Sequence, residues 1–210
     1  LIKRAAKCGK PLLMSTGMAS LSEVEDALNV ANQYGCGDVL LFHCISSYPA
    51  PVVESNLQSI EVLRSSFGVE VGLSDHTISN LAATVSIGLG ATAIEKHFKP
   101  SADSKGADAS FSLTPSQLRL LVSDCNDAWK SIGRPGFNRP LAEEQMRKYR
   151  RSLYFMKSMK KGDSISPSDI RAIRPGFGLA PKYFDEIVGR KLCSNVERGD
   201  PVSLDVIEKD

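Results

Sequence analysis

The chain is short of the features that mark several protein classes. It has no strong charge bias: 26 basic residues against 24 acidic ones leave a net charge of +2, too even for the electrostatic footprint of a nucleic-acid or membrane-surface binder. No apolar run approaches the ~18–20 residues of a spanning helix, and no basic segment leads into a hydrophobic one as in a secretory leader. The five cysteines, Cys8, Cys36, Cys44, Cys125 and Cys193, are odd in number and scattered, with no Cys-x-x-Cys pair. That argues against a disulfide framework and a zinc knuckle. These absences predict a soluble protein of a reducing cytoplasm, acting neither on nucleic acid nor in a membrane. An initiator Met is lacking too: the chain starts at Leu1 and enters an amphipathic pattern almost at once, so it reads as a fragment. What is present, 42% hydrophobic residues in a 210-residue chain, suffices for one or two globular domains and excludes a disordered or collagen-like chain.

Four short apolar runs, at residues 11–15, 38–44, 69–74 and 92–98, are near-continuously hydrophobic rather than alternating, as parallel strands buried on both faces would be. Each is followed by a helical pattern. Ser20 and Glu23 form a capping-box pair ahead of Leu21, Val24, Leu28 and Ala31. Leu57, Ile60, Leu63 and Phe67 share a second helical face that ends at Gly68, and Ile78, Leu81, Ala82, Val85 and Leu89 a third. After a polar loop, Thr114, Pro115 and Gln117 open a fourth helix with Leu118, Leu121, Val122, Cys125 and Trp129 as its stripe. Four βα units in succession predict a parallel sheet layered with helices. No Gly-x-Gly-x-x-Gly follows the first strand, which weakens the doubly wound alternative. Four units are half of a (β/α)8 barrel of ~250 residues. Polar residues gather at the strand C-termini (Ser15 and Thr16, His43 to Ser47, Ser74 to His76, Glu95 to His97), where a barrel carries its active site.

Residues 137–150 turn polar and charged and read as a linker. Residues 151–210 hold short strand-like runs separated by turn chemistry, including the paired turns Lys161-Gly162-Asp163 and Arg198-Gly199-Asp200. They predict a small, turn-rich, pseudo-symmetric β domain.

Of three histidines, His76 and His97 follow the third and fourth strands in equivalent places. On neighbouring strands of a parallel barrel their imidazoles would face one mouth and could hold a divalent metal, with waters completing its sphere. The same spacing equally suits two imidazoles that merely cap strand ends. Asp75 and Glu95 flank them and could orient a ring, bind a hydroxyl or act as a base, whereas His43, inside a more apolar run, reads as structural. Ser15, Thr16, Ser46, Ser47 and Ser74 bring hydroxyls to the mouth, suited to phosphate or carboxylate oxygens although serine is also a common turn residue. Tyr48 offers an aromatic face for a sugar ring. The loop at 99–111, with Asp103, Lys105 and Asp108, suits a lid or a plain solvated loop. Arg174, ahead of Pro175-Gly176-Phe177-Gly178, could clamp a carboxylate or remain a surface arginine.

Together, Ser15-Thr16-Gly17-Met18, Tyr48-Pro49-Ala50-Pro51, Gly72-Leu73-Ser74-Asp75-His76-Thr77, Glu95-Lys96-His97-Phe98 and Asp108-Ala109-Ser110-Phe111-Ser112-Leu113 resemble the sialic acid synthase family. The tail around Arg174-Pro175-Gly176 is similar to that family's antifreeze-like (SAF) domain. The resemblance implies an α/β fold: the C-terminal half of a TIM barrel (residues 1–136), a linker (137–150) and a small β-rich SAF domain (151–210). It implies condensation of phosphoenolpyruvate with an N-acetylated amino-sugar aldehyde to a nine-carbon 2-keto acid and phosphate. His76 and His97 would then ligate a divalent metal, usually manganese, with magnesium or cobalt as alternatives. Ser15, Ser46 and Ser74 would contact phosphoenolpyruvate, Glu95 would be the catalytic carboxylate beside the aldehyde, and Tyr48 and Asp108 would meet the sugar. Arg174 would reach it from the partner subunit of a domain-swapped homodimer. Ser46, where neuraminate synthases usually carry Asn, the Asp-Ala-Ser-Phe-Ser-Leu run and the Arg-Pro-Gly-Phe-Gly-Leu-Ala-Pro-Lys-Tyr stretch resemble the pseudaminic acid branch, with neuraminate or legionaminate synthesis as the alternative. The family's phosphoenolpyruvate lysines and a first-strand glutamate fall outside this sequence, so a different expectation stands beside these: an inactive sugar- or metal-binding fragment.

Overall fold

The four apolar runs become a four-stranded sheet in the order β1 (Leu12–Ser15), β2 (Val39–Cys44), β3 (Glu70–Asp75), β4 (Ile94–Lys96), every neighbouring pair parallel. The structure is a computed structural model and describes residues 1–208. The chain divides into two compact units, residues 1–134 and 135–210.

In the first unit a short helix, α1 (Ile2–Ala6), precedes β1, and α2 (Leu21–Gln33), α3 (Ser59–Phe67), α4 (Leu81–Gly88) and α5 (Pro115–Ile132) follow β1 to β4 in turn. The start signals work as read. Glu23 N–H donates to Ser20 Oγ while Ser20 N–H donates to Glu23 Oε2 at 2.7 Å, and Thr114 N–H donates to Gln117 Oε1 at 2.8 Å at the head of α5. The helix-side core joins Leu41, Val71 and Val39 of the strands to Val24, Leu28 and Ile60 of the helices. Because a strand alternates its side chains, residues one step along face away from that core: Phe42, Cys44, Gly72, Ser74 and Glu95.

Three features depart from the periodicity. β1 is not buried on both faces: Leu12 and Met14 pack on the core, but Leu13 is 62% exposed, since β1 is an edge of the sheet. In α4 the inward face is Ala82, Ala83 and Ser86, whereas Leu81 and Val85 are exposed and Ile78 precedes the helix. The segment Leu-Ala-Ala-Thr-Val-Ser-Ile-Gly is apolar on nearly every side, so its period carries no direction. On α5, Leu121 is buried, but Trp129 is 69% exposed at a groove shared with the free side of β4. The fourth strand is also shorter than its apolar run, with Phe98 joined to Leu113 by a single parallel bridge.

The second unit opens with α6 (Leu141–Glu144) and a 3-10 turn over Arg147–Tyr149, so part of the expected linker is helical. β5 (Ser152–Phe155) then pairs antiparallel with β6 (Ile170–Ile173), and α7 (Phe184–Ile187) follows. One core, including Leu153, Phe155, Ile165, Ile187, Leu192 and Val202, holds it together. The two Gly-Asp turns repeat one geometry. Lys160 N–H donates to Asp163 and Glu197 N–H to Asp200 at 2.9 and 2.7 Å. Gly162 and Gly199 sit at φ +89° and +96°, a region that favours glycine. Gly162 N–H bonds Leu192 O and Leu192 N–H bonds Asp163 O, just as Gly199 N–H bonds Phe155 O and Phe155 N–H bonds Asp200 O. The bridge between Met159 and Val196 joins the two halves.

Asp169 in this unit gives a pH prediction. Burial pushes its carboxyl up, but the hydrogen bond from the Lys157 ammonium and those from Ser166 outweigh it and hold the group below the ordinary Asp value. A depressed folded-state pKa contributes stability that is present above the unfolded-state value, about 4, and lost as pH falls through the folded one. Urea unfolding followed at the Phe155 amide by NMR is expected to shift to lower midpoints below about pH 4, and Asp169→Asn to flatten that acid limb. No helix among the described residues is long and apolar enough to cross a membrane.

Candidate active site

The C-terminal ends of β2, β3 and β4 deliver their side chains to one place. In parallel register Ser74 lies opposite Glu95 and Asp75 opposite Lys96, so the next residues out, His76 and His97, emerge side by side. Their ring centroids are 5.4 Å apart, with the planes at 68°. Tyr48, from the loop after β2, lies 4.4 Å from the His76 ring and 5.9 Å from the His97 ring. Phe111 lies 4.9 Å from His97 and 5.6 Å from Tyr48. Phe111 is buried while Tyr48 is 53% exposed, leaving one aromatic face open to a ligand.

The two imidazoles differ in how Nδ1 is engaged. His76 Nδ1 is 2.8 Å from Ile45 O; a carbonyl only accepts, so Nδ1 carries the proton and a neutral ring presents its lone pair at Nε2. His97 Nδ1 faces Asp108 Oδ2 at 3.5 Å. Asp108 is held there by its own loop: Ser112 Oγ–H donates to Asp108 O at 2.6 Å, Lys99 Nζ to Ala109 O at 2.8 Å, and Leu113 N–H to His97 O at 2.8 Å. The loop at 99–111 is therefore stitched to the end of β4. Below the rings, Ser74 Oγ–H donates to Glu95 Oε1 at 2.7 Å and lies 3.4 Å from His76 Nε2. Ser74 is buried and Glu95 exposed.

A divalent metal fits this donor set, two imidazoles with outer oxygen acceptors that fix ring orientation. Among the described residues no group of three or more His, Cys, Asp and Glu side chains gathers closely enough to hold an ion. Ser46 stands at the end of β2, where its Oγ and Cys44 Sγ crowd the backbone of Gly17 so closely that a Cβ there would collide with both. Burial pushes the Cys44 thiol up despite hydrogen bonds from Gly17, Ser46 and Thr16. Ser15 ends edge strand β1, exposed, and no contact among the described residues links it to the histidine cluster.

His43 is buried on the helix side, with Nε2 2.8 Å from Ser55 O, in accord with a structural role. Arg174 belongs to the second unit, exposed at the end of β6. The turn after it is tied to β5 by Ser152, whose hydroxyl donates to Pro175 O and accepts from Gly178 N–H at 2.8 and 2.9 Å. Two side chains at the site escaped assignment by sequence. In sequence Phe111 is only the end of a polar loop, which folds it back onto His97. Lys96 sits between two residues with expected roles, and only its register opposite Asp75 exposes its part; the signal was the charge of opposite sign before each histidine.

Comparison with known proteins places this geometry in a family. Residues 1–136 match the NeuB family and residues 150–208 the SAF domain. An uncharacterised protein of Methanocaldococcus jannaschii is 38% identical over 98% of this chain and 61% of its own length. The pseudaminic acid synthase of Helicobacter pylori is 35% identical over 100% of this chain and 62% of its own length. The crystal structure of an N-acetylneuraminic acid synthetase from Leptospira borgpetersenii, in complex with citrate, superposes with a TM-score of 0.63 at 30% identity, covering 69% of this chain and 50% of that one. The chain thus spans about three fifths of the length of the curated relatives it matches. With its parallel half-barrel sheet, its paired histidines at the strand ends and a SAF domain following in sequence, the chain belongs to the NeuB family.

Proposed function

We propose that this chain supplies the metal and sugar side of a phosphoenolpyruvate-dependent nonulosonic acid synthase, of the pseudaminic acid type. The observation that carries the reading is the pair of imidazoles 5.4 Å apart, His76 held through Nδ1 by Ile45 O and His97 with its Nδ1 turned toward Asp108 at 3.5 Å, above the Ser74–Glu95 hydrogen bond. The relatives' names and the NeuB match support the reaction class.

In the proposed reaction the enol carbon of phosphoenolpyruvate bonds to the aldehyde carbon of the sugar. Water then adds at the carboxylate-bearing carbon, and phosphate leaves to give the nine-carbon 2-keto acid. His76 and His97 would hold a divalent metal, manganese above magnesium or cobalt; when bound, it supplies Lewis-acid polarisation of a carbonyl oxygen. Glu95, whose carboxylate accepts from Ser74 Oγ–H, would take or give a proton at the aldehyde oxygen or the attacking water. The open face of Tyr48 packs on the sugar, and Asp108 accepts from sugar hydroxyls while orienting His97. Ser46 and Ser74 bring hydroxyls to the phosphoenolpyruvate oxygens, with Ser15 beyond them on β1. Arg174 completes the sugar site from the second copy of a domain-swapped homodimer, and the cytoplasm, where phosphoenolpyruvate is found, is the proposed location.

The branch rests on Ser46, on the run Asp108-Ala109-Ser110-Phe111-Ser112-Leu113 and on the stretch from Arg174 to Tyr183. Mass spectrometry of products from competing diacetamido-trideoxy altrose and N-acetylmannosamine, with the chain supplied with a relative's N-terminal portion, is expected to show the altrose-derived acid in excess. Excess neuraminate would assign the chain to the other branch, and absence of any keto acid would favour a binding fragment.

A further inference from the structure

We propose that Lys96 is the positioning residue of the two-imidazole centre: from the helix side of the sheet it sets the spacing and orientation of His76 and His97. The inference rests on the reading of those rings as a metal site, and it concerns a residue that touches neither ring. Lys96 and Asp75 face each other across β3 and β4, one residue before each histidine. Their side chains are 1% exposed, and Lys96 Nζ lies 2.6 Å from Asp75 Oδ2.

Two charges so deeply buried are held only if every polar atom is satisfied, and here they are. The ammonium spends its other two protons on Thr77 O at 2.7 Å and Ser79 O at 2.9 Å. The second carboxylate oxygen accepts from Thr77 N–H at 2.8 Å. One side chain from β4 thus fastens the end of β3 and the segment 77–79 just beyond His76. Side chains alternate along a strand, so this clamp lies on the face opposite the rings, where it fixes backbone without occupying the mouth. A hydrophobic pair could have filled the same volume. Only a three-donor cation ties both strands and the following turn to one point.

The test compares wild type with Lys96→Met, which leaves the Asp75 charge unpaired, and with the double variant Asp75→Asn/Lys96→Met. The double variant keeps an acceptor for Thr77 N–H without leaving a buried charge, so it covers the case in which the single variant does not fold. Two readouts are taken on the 210-residue chain: Mn2+ affinity by electron paramagnetic resonance, and cross-relaxation between the Tyr48 ring and the two imidazoles by NMR without metal. The expected result is at least tenfold weaker Mn2+ binding and loss of the Tyr48–His97 cross-peak in variants whose circular dichroism is unchanged. A folded variant that binds Mn2+ within twofold of wild type and keeps both cross-peaks overturns the positioning role while leaving the metal reading intact. A wild-type chain that binds no Mn2+ removes the metal reading, and the cross-peaks then decide the positioning role alone: retained in the variants, they overturn it.

Discussion

His76→Ala is expected to abolish Mn2+ binding, with calorimetric heats falling to the level of buffer, and His97→Ala to weaken it at least a hundredfold. The asymmetry follows from geometry. His76 is buried, with its Nδ1 committed to Ile45 O and its Nε2 3.4 Å from Ser74 Oγ. The His97 ring is 32% exposed and is steered by the more accessible Asp108. Loss of the more rigid ligand removes more pre-paid order, and among the described residues no third His, Cys, Asp or Glu gathers with the pair as a replacement. His43→Ala serves as the control, since its ring is bonded to Ser55 O on the other face of the sheet; it should lower stability without altering affinity in the folded protein. Unchanged Mn2+ affinity in His76→Ala would return both rings to a strand-end structural role.

The second large effect concerns completeness of the barrel. Supplied alone, the 210-residue chain is expected to release no phosphate from phosphoenolpyruvate and to bind the dye ANS. Supplied with the N-terminal portion of a relative such as the Helicobacter pylori synthase, it is expected to lose ANS binding and gain Mn2+-dependent phosphate release. The physical ground is surface left uncovered. β1 and β4 are both edges of the sheet, Leu13 is 62% exposed on the first, and Leu118, Val122, Trp129 and Ile132 line a groove of about 640 Å³ beside the second. Unpaired edges and apolar patches of this kind are dye-binding and association-prone. Full turnover by the chain alone would contradict the proposal that residues outside it contribute to the site, and continued ANS binding in the mixture would show that the two parts do not meet.

Some of this was legible in sequence because the interactions are local. Capping pairs three residues apart, Gly-Asp turns and short apolar runs act within a few residues, so Ser20–Glu23, Thr114–Gln117, the Gly162 and Gly199 turns and the four strands can be read directly. Where a segment is apolar on all sides, as α4 is, the pattern has no direction and the inward face went to Ala82, Ala83 and Ser86 instead of Leu81 and Val85. Where burial depends on what lies beyond an edge, as for Leu13 and Trp129, periodicity assumes a neighbour that the sheet does not present.

The same division holds at the site. That His76 and His97 terminate consecutive strands is a property of the sequence, because strand length and βα order fix it. That their rings stand 5.4 Å apart, that Asp108 and Phe111 return over a loop to meet His97, and that Lys96 spans to Asp75 were settled by register and loop closure. Those contacts join residues 11 to 21 positions apart, and no periodic signal records which strand lies beside which. Charge, composition and cysteine count could say what this chain lacks; only the packing of β3 against β4 put two histidines side by side on one face of the sheet and a buried ion pair on the other.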